Sequence, residues 1–289
     1  MLKNRLKIAL VALLACLFAN ANADPLPVKV ATWNIRINIK KDSLEGNIWS
    51  YRRDAIVKIV QSNDIDILGV QEDYKKELNE LNSRLGEYRR VGFPNHENGR
   101  LGSFNSIFFK QDRFEVLDSG MFYLAEDDTK PVLGWNGAYI RSCTWVKFGI
   151  RRRQAVFWVF NAHGDYAGGE VERESSKLLI QKIKDIAGES SNVVLMGDMN
   201  FNQKSDGYEI LNSSNVVRDG YHLAEQKKST GGTFNRFKKD YVSDERLDHV
   251  FVTKPVRVLE YEILLDKYEK DGEQRFPSDH YPVILKLDL

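Results

Sequence analysis

Six short stretches of the chain set a residue able to do chemistry at the end or the start of an apolar run. Asn34 closes "VATWN", Glu72 closes "ILGVQE" and His163 closes "VFNAH". Asp198 and Asn200 close "VLMGDMN", Asp248 opens "LDHVFV", and Asp279 and His280 lead into "YPVIL". A strand end holds a side chain more rigidly than a surface loop, which matters for catalysis and not for solubility. Asn, Glu and Asp supply hard oxygen donors, and no cysteine stands among them, so the set suits Mg²⁺, Mn²⁺ or Ca²⁺ rather than structural zinc. An Asp next to a His, with another Asp available, fits a pair that polarises water. A second His and an Asn can hold phosphate oxygens where charge develops. Together these describe metal-assisted hydrolysis of a phosphoester.

Elements of alternating or continuous apolar character must carry these residues. "VKVATWNI", "DIDILGVQE", "FNSIFFK", "AYIRSCTWVKF", "QAVFWVFNAH", "NVVLMGDMN", "LDHVFVT", "VRVLEYEIL" and "HYPVILKLDL" read as strands. Apolar spacing predicts helices over Tyr51 to Val60, Tyr74 to Leu85 and Val171 to Ile186. Many strands with a few amphipathic helices predict an α/β (α+β) fold: a four-layer α/β/β/α sandwich of two mixed, largely antiparallel sheets. Polar strand ends can then converge on one cleft. The chain shows no Pro- or Gly-rich linker, internal repeat or low-complexity tract, so residues 24–289 read as a single domain.

The motifs "TWNIR", "LGVQE", "VFNAHGD", "VLMGDMN", "RLDHVFV" and "PSDHYPV" occur in this order over essentially the whole of 24–289. In this the chain resembles the endonuclease/exonuclease/phosphatase superfamily, a group that includes deoxyribonuclease-type nucleases, sphingomyelinases and inositol polyphosphate 5-phosphatases. "W-x-x-R" from Trp49 to Arg52, "GWNGAYIR" and "GGTFNRF" are similar to the bacterial branch near the deadenylase and nocturnin-like enzymes. The resemblance implies Glu72 as principal Mg²⁺ ligand (Mn²⁺ serving as well), with Asn34 beside it and Asp279 near or on the metal. It implies that Asp248 orients His280, that Asp198 positions or deprotonates the attacking water, and that Asn200, His163 and Arg141 contact the phosphate. Whether Asp198 or His280 is the base stays open at this stage.

Two positions depart from the family pattern. Ser103 stands where many relatives have an acidic residue, and Gly164 stands where a bulky apolar residue is usual. Both bear on the substrate more than on the reaction. Other polar residues read as structural. His249 points to the opposite strand face from Asp248 by alternation. His96 and His222 read as loop residues, Arg151 to Arg153 as a hairpin tip with nucleic-acid contact the alternative, and Arg173 as an ion-pair partner. Trp135, in the Gly-flanked loop "LGWNG", reads equally as core or as a stacking surface for a base or sugar.

Residues 1–23 read as a secretory signal peptide. Lys3, Arg5 and Lys7 precede an apolar run from Ile8 to Ala19, and "ANAD" offers a cleavage site before Asp24. The alternative is a lipoprotein anchor through Cys16. Cleavage leaves no transmembrane segment, leaves Cys143 as the remaining cysteine, and lowers the formal net charge from +1 to −2. The protein is expected in the periplasm or outside the cell. No obligate protein partner is evident, and the substrate is expected to be nucleic acid or a small phosphorylated metabolite. The near-neutral charge argues mildly against a long polyanion, although Lys227, Lys228, Arg236, Lys238 and Lys239 could form a local basic patch. Phosphodiesterase, phosphatase of a sugar, inositol or lipid headgroup, and non-catalytic binding module are the three functional expectations. Substrate choice is expected in the loops Gly92 to Asn105, Glu126 to Gly137 and His222 to Arg246.

Overall fold

The computed structural model describes residues 27–96 and 102–289. The expected signal peptide and Cys16 lie outside the described residues. In chain order, β1 (Val28–Asn34) leads through α1 (Lys40–Leu44) and α2 (Trp49–Ser62) to β2 (Ile67–Gln71). α3 (Lys75–Arg84) precedes β3 (Tyr88–Val91) and β4 (Ile107–Lys110). β5 (Phe114–Tyr123), β6 (Ser142–Ile150) and β7 (Val156–His163) follow, and α4 (Glu170–Ala187) joins β7 to β8 (Val193–Asp198). Then come α5 (Asp206–Asn212), β9 (Arg218–Asp219), α6 (Gly220–Leu223), β10 (Gln226–Lys227), β11 (Asp248–Val252) and β12 (Arg257–Ile263). The hairpin β13 (Tyr268–Lys270) and β14 (Glu273–Arg275) precedes β15 (Val283–Asp288).

The large sheets have the orders β10-β12-β15-β1-β2-β4-β3 and β5-β6-β7-β8-β11-β9. Each has a parallel pair at its centre, β1 with β2 and β7 with β8, and antiparallel neighbours on both sides. A parallel pair needs a crossover, and α2 and α4 supply it. Apolar residues of the two sheets meet in one cluster that includes Val30, Ile107, Phe109, Phe148, Val159, Met196 and Leu285. Phe109 meets Phe148 edge to face at 5.0 Å between ring centroids. Ile56, Val60, Leu78 and Leu81 of α2 and α3 pack with Trp33, Leu68 and Val70, while Leu179, Ile183 and Leu211 of α4 and α5 pack with Leu195 and Phe251. The result is the expected four-layer α/β/β/α sandwich.

The inner faces change character toward one end. On β1, Val28 and Val30 belong to the core between the sheets, and Thr32 and Asn34 continue the same face by the two-residue period. Phe157 and Val159 give way to Asn161 and His163 on β7, and Val194 and Met196 give way to Asp198 on β8. A buried amide bridge marks the change. Gln71 Nε2 donates to Thr32 Oγ1 at 3.0 Å and across the sandwich to Asn161 Oδ1 at 2.6 Å. Asn161 Nδ2 in turn donates to the carbonyls of Val70 and Ser106. Buried amide hydrogen bonds of this kind fix the relative register of two sheets more sharply than apolar contact can.

The three expected helices, α2, α3 and α4, lie within two residues of their expected bounds, while the short α1, α5 and α6 were not expected. One long strand, β5, has no counterpart in the sequence reading. It is an edge strand with Glu115, Val116, Leu117 and Asp118 exposed and a bulge between Val116 and Asp118, so no core face imposes alternation on it.

Candidate active site

The register of three strands assembles the centre of the site. β7 sets His163 opposite Asp198, and β11 sets Asp248 opposite Asp198 on the other side. Asn34, from the neighbouring sheet, donates through Nδ2 to Asp198 Oδ2 at 2.9 Å and to Glu72 Oε1 at 3.2 Å. Its Oδ1 receives the Arg36 backbone N–H at 2.9 Å. In this orientation Asn34, expected beside the metal, presents its nitrogen to both carboxylates and orders them. His280 Nδ1 lies 2.8 Å from Asp248 Oδ2, and its Nε2 lies 3.7 Å from Asp198 Oδ2. His163 Nε2 approaches the same Asp198 oxygen at 3.6 Å.

Backbone strain aims two of these residues. Glu72 and Asn200 adopt left-handed conformations, with φ of 58° and 55°. Such a residue costs about 1 kcal/mol or more and persists where its surroundings over-determine it. Glu72 Oε2 accepts the Ile37 N–H at 2.8 Å. Asn200 N donates to Asp198 Oδ1 at 2.9 Å, and one of its two amide hydrogens goes to the Gly164 carbonyl at 3.0 Å. Gly164 itself has no room for a side chain, since a Cβ there would stand 2.2 Å from the Met199 carbonyl oxygen. The small residue at this position is therefore what lets the ends of β7 and β8 close on each other.

A scaffold behind the site ties its segments together. Arg52, fully buried, donates to the carbonyls of Ile35 at 2.8 Å, Arg36 at 3.0 Å, Asn47 at 3.1 Å and Pro277 at 3.1 Å. It thus fastens the segment after Asn34 to the segment before Asp279, although burial lowers its pKa to about 10. Thr233 Oγ1 accepts the N–H groups of Leu247 and Asp248, and its carbonyl accepts that of Tyr281. Asn235 binds the carbonyls of Ser278 and Asp279, and the Phe234 ring packs at a tilt against His280, 4.7 Å between centroids. "GGTFNRF", expected in a substrate loop, is in this part a buried brace for the Asp248–His280 pair. Asp73 plays a similar part beside Glu72. Its carboxylate accepts the Ser103 hydroxyl at 3.0 Å and the N–H groups of Phe104, Asn105 and Ser106.

Electrostatics divide the titratable groups. Burial pushes the Asp198 carboxyl up to about 6 against the opposing pull of His280. Burial lowers the His280 imidazole, but the Asp248 and Asp198 carboxylates more than offset it and raise the pKa to about 10. His163 is held well below the usual histidine range, first by burial and then by the Arg141 charge. Arg141 Nη1 lies 2.9 Å from His163 Nδ1. The same Nη1 is 3.1 Å from His163 Nε2, so neutral His163 can accept from Arg141 on one ring nitrogen and carry its hydrogen on the other.

A cavity of about 450 Å³ opens over these residues and is lined also by Tyr74, Asn95, Ser103, Tyr139 and Tyr166. Glu72, Asp279, Arg141 and Asn200 all reach it, whereas Trp135 is not among its lining residues. The Glu126 to Gly137 loop reaches the site through the segment just beyond it, at Tyr139 and Ile140. His249 faces away, its Nε2 3.1 Å from the Phe201 carbonyl and its ring among Tyr208 and Phe251. Arg173 pairs with Asp206 at 3.4 Å, and His222 lies in the short helix α6 rather than a loop.

The residues fit a hard divalent cation. Glu72 and Asp279 offer oxygen donors at the pocket floor, and the Arg36 guanidinium stands 3.9 and 3.7 Å from them, drawn to the same negative field. Asp198, Asp248 and His280 form a second group whose ligand atoms lie within 4.8 Å of one another, but His280 Nδ1 is already engaged by Asp248.

Comparison with known proteins agrees with this architecture. An endonuclease/exonuclease/phosphatase family protein from Bacteroides thetaiotaomicron is 31% identical, with a TM-score of 0.89, covering 92% of this chain and 96% of that chain. The mannosyl-6-phosphatase of Bacteroides thetaiotaomicron VPI-5482 is 32% identical, with a TM-score of 0.87, covering 91% of this chain and 100% of that chain. The human nocturnin catalytic domain, 20% identical with a TM-score of 0.70 over 91% of this chain and 93% of that chain, shares the fold. The profile described as "Endonuclease/Exonuclease/phosphatase family" matches residues 31–280, and the chain belongs to that family.

Proposed function

We propose that the protein is an exported, divalent-cation-dependent phosphoesterase whose substrate is a small phosphorylated sugar. The observation that carries the hydrolytic reading is the convergence of Asn34, His163 and His280 on one oxygen of buried Asp198 at the floor of a pocket. The similarity to a mannosyl-6-phosphatase supports a sugar phosphate, and the open cavity of about 450 Å³ has room for a small molecule. Export rests on the basic and apolar pattern of residues 1–23.

Glu72 and Asp279 would hold the cation, with Asn34 ordering Glu72. Bound there, Mg²⁺ or Mn²⁺ polarises a phosphoryl oxygen and offsets developing charge. Asp198, with its pKa near 6, is ionised at neutral pH and takes the proton of the attacking water. His280 is already protonated, so it serves as a donor to the phosphate and not as the base. Asp248 fixes its ring through Nδ1. Arg141, the ring N–H of neutral His163 and the remaining Asn200 amide hydrogen donate to phosphate oxygens.

The test is hydrolysis with Mg²⁺ or Mn²⁺ across hexose 6-phosphates, inositol phosphates, nucleotides, DNA, RNA and sphingomyelin. Preference for hexose phosphates, abolished by chelator, is the expected result. Preference for a nucleic acid overturns the substrate reading, and full activity in chelator overturns the cation. Export is tested by the mature N-terminus, expected at Asp24.

A further inference from the structure

Two tyrosine rings stand exposed at the rim of the pocket. Tyr139 and Tyr166 are 54% and 59% exposed, and their rings, 5.6 Å apart between centroids, meet at 58° as two angled faces. They come from different loops, one before β6 and one after β7, and a single buried carboxylate grips both. Asp165 Oδ2 accepts the Tyr139 N–H at 2.8 Å, and Asp165 Oδ1 accepts the Ala167 N–H at 2.8 Å. Rings this exposed add little to the core, yet the backbone beneath them is pinned. Both also line the cavity that holds Asp198 and His280. The Arg141 guanidinium lies over Tyr139 at 5.2 Å and reaches His163, so the ring adjoins the groups read above as binding phosphate.

From this arrangement we infer that Tyr139 and Tyr166 form a stacking wall for the C–H face of a pyranose ring and select cyclic over acyclic phosphomonoesters. The inference rests on the phosphoesterase reading of the same site. The negative face of an aromatic ring attracts the polarised C–H groups of a sugar and offers a flat surface that an open-chain alcohol cannot cover. The phosphate, held by Arg141, His163 and Asn200, sets the distance at which the ring meets the wall. Asp165 is then a positioning residue, acting through both loops.

The experiment compares kcat/KM for mannose 6-phosphate and glycerol 3-phosphate in the full-length enzyme. Tyr139→Ala and Tyr166→Ala are each expected to lower the ratio of the two by about tenfold, the scale of an aromatic contact. Tyr139→Phe and Tyr166→Phe should hold the ratio within about threefold, because the ring does the work. A second arm measures saturation transfer from the protein to the ring protons of mannose 6-phosphate in the Asp198→Asn protein, where turnover is suppressed. Transfer that falls on adding either alanine substitution supports the wall. Equal losses for the cyclic and acyclic substrates, or transfer indifferent to the tyrosines, overturns it. If the wild type hydrolyses no phosphate ester, the phosphoesterase reading fails, and the saturation arm still decides whether the wall holds the sugar.

Discussion

His280 and Asp248 are joined through Nδ1 and Oδ2 at 2.8 Å, both side chains buried, with the other ring nitrogen of His280 turned toward Asp198. The imidazole is thereby held in one orientation and kept charged, and neither partner has a second role that could replace the first. His280→Ala and Asp248→Asn are each expected to lower kcat by at least about a hundredfold, the scale for losing a preorganised donor to the developing charge. Because the two act as a unit, the double variant should be little worse than His280→Ala alone. Steady-state kinetics of all three, with thermal melts to confirm folding, provide the check. Multiplicative losses would show that the residues work independently.

Glu72 meets the pocket in a strained left-handed conformation, its carboxylate placed by the Ile37 N–H and the Asn34 amide. Glu72→Gln preserves the shape and removes the charge. Mg²⁺ affinity, read by calorimetry, should weaken and hydrolysis should fall by at least about a hundredfold, since a cation held by Glu72 would supply several kcal/mol of transition-state stabilisation. Unchanged Mg²⁺ affinity would move the cation site away from Glu72.

Much of this site was legible because strand chemistry is local. Apolar alternation located the strands that end at Asn34, His163 and Asp198, and the period of two assigned His249 to the far face. The scaffold was not legible. Arg52 and Thr233 act on carbonyls and amides distant in sequence, so no spacing announces them. The pocket rim was misplaced for a similar reason. Trp135 read equally as core or as a stacking surface, and it does not line the cavity; Tyr139 does, its backbone N–H held by Asp165 from another loop. The β5 strand escaped because an exposed edge has no core face to impose a pattern.

His249 gives the fold an acid-sensitive point away from the catalytic cleft. It is buried among Phe201, Tyr208 and Phe251, and burial lowers its pKa. The folded state therefore binds a proton less readily than the unfolded chain. Its contribution is fully present above the unfolded value of about 6.5 and is lost as pH falls from there toward the folded pKa, at up to about 1.4 kcal/mol per pH unit. Urea unfolding at pH 7.5 and 5.5 should show the wild type losing about 1 kcal/mol more than His249→Gln across that interval, a glutamine keeping a donor for the Phe201 carbonyl. Equal losses would mean that His249 does not titrate between the two states.

Gly164 ties substrate chemistry to backbone packing, and its replacement separates the two. A Cβ at this position meets the Met199 carbonyl oxygen at 2.2 Å, and that atom belongs to backbone that cannot swing aside. The same turn bonds the Gly164 N–H to the Asp198 carbonyl at 2.8 Å and the Gly164 carbonyl to the Asn200 amide at 3.0 Å. In Gly164→Ala the strand ends must part, which carries Asp198 and Asn200 with them. Overpacking of this kind destabilises a fold by about 1–3 kcal/mol. A displacement near 1 Å at the reacting groups can cost on the order of a hundredfold in rate. The substitution is therefore expected to leave a folded protein with a lowered melting temperature and a kcat reduced about a hundredfold, while Mg²⁺ affinity at Glu72 stays close to that of the wild type. Parallel measurement of melting, kcat and Mg²⁺ binding distinguishes this from general damage. A loss of Mg²⁺ binding equal to the loss of kcat would show that the effect spreads through the whole site and not through the Asp198–Asn200 turn.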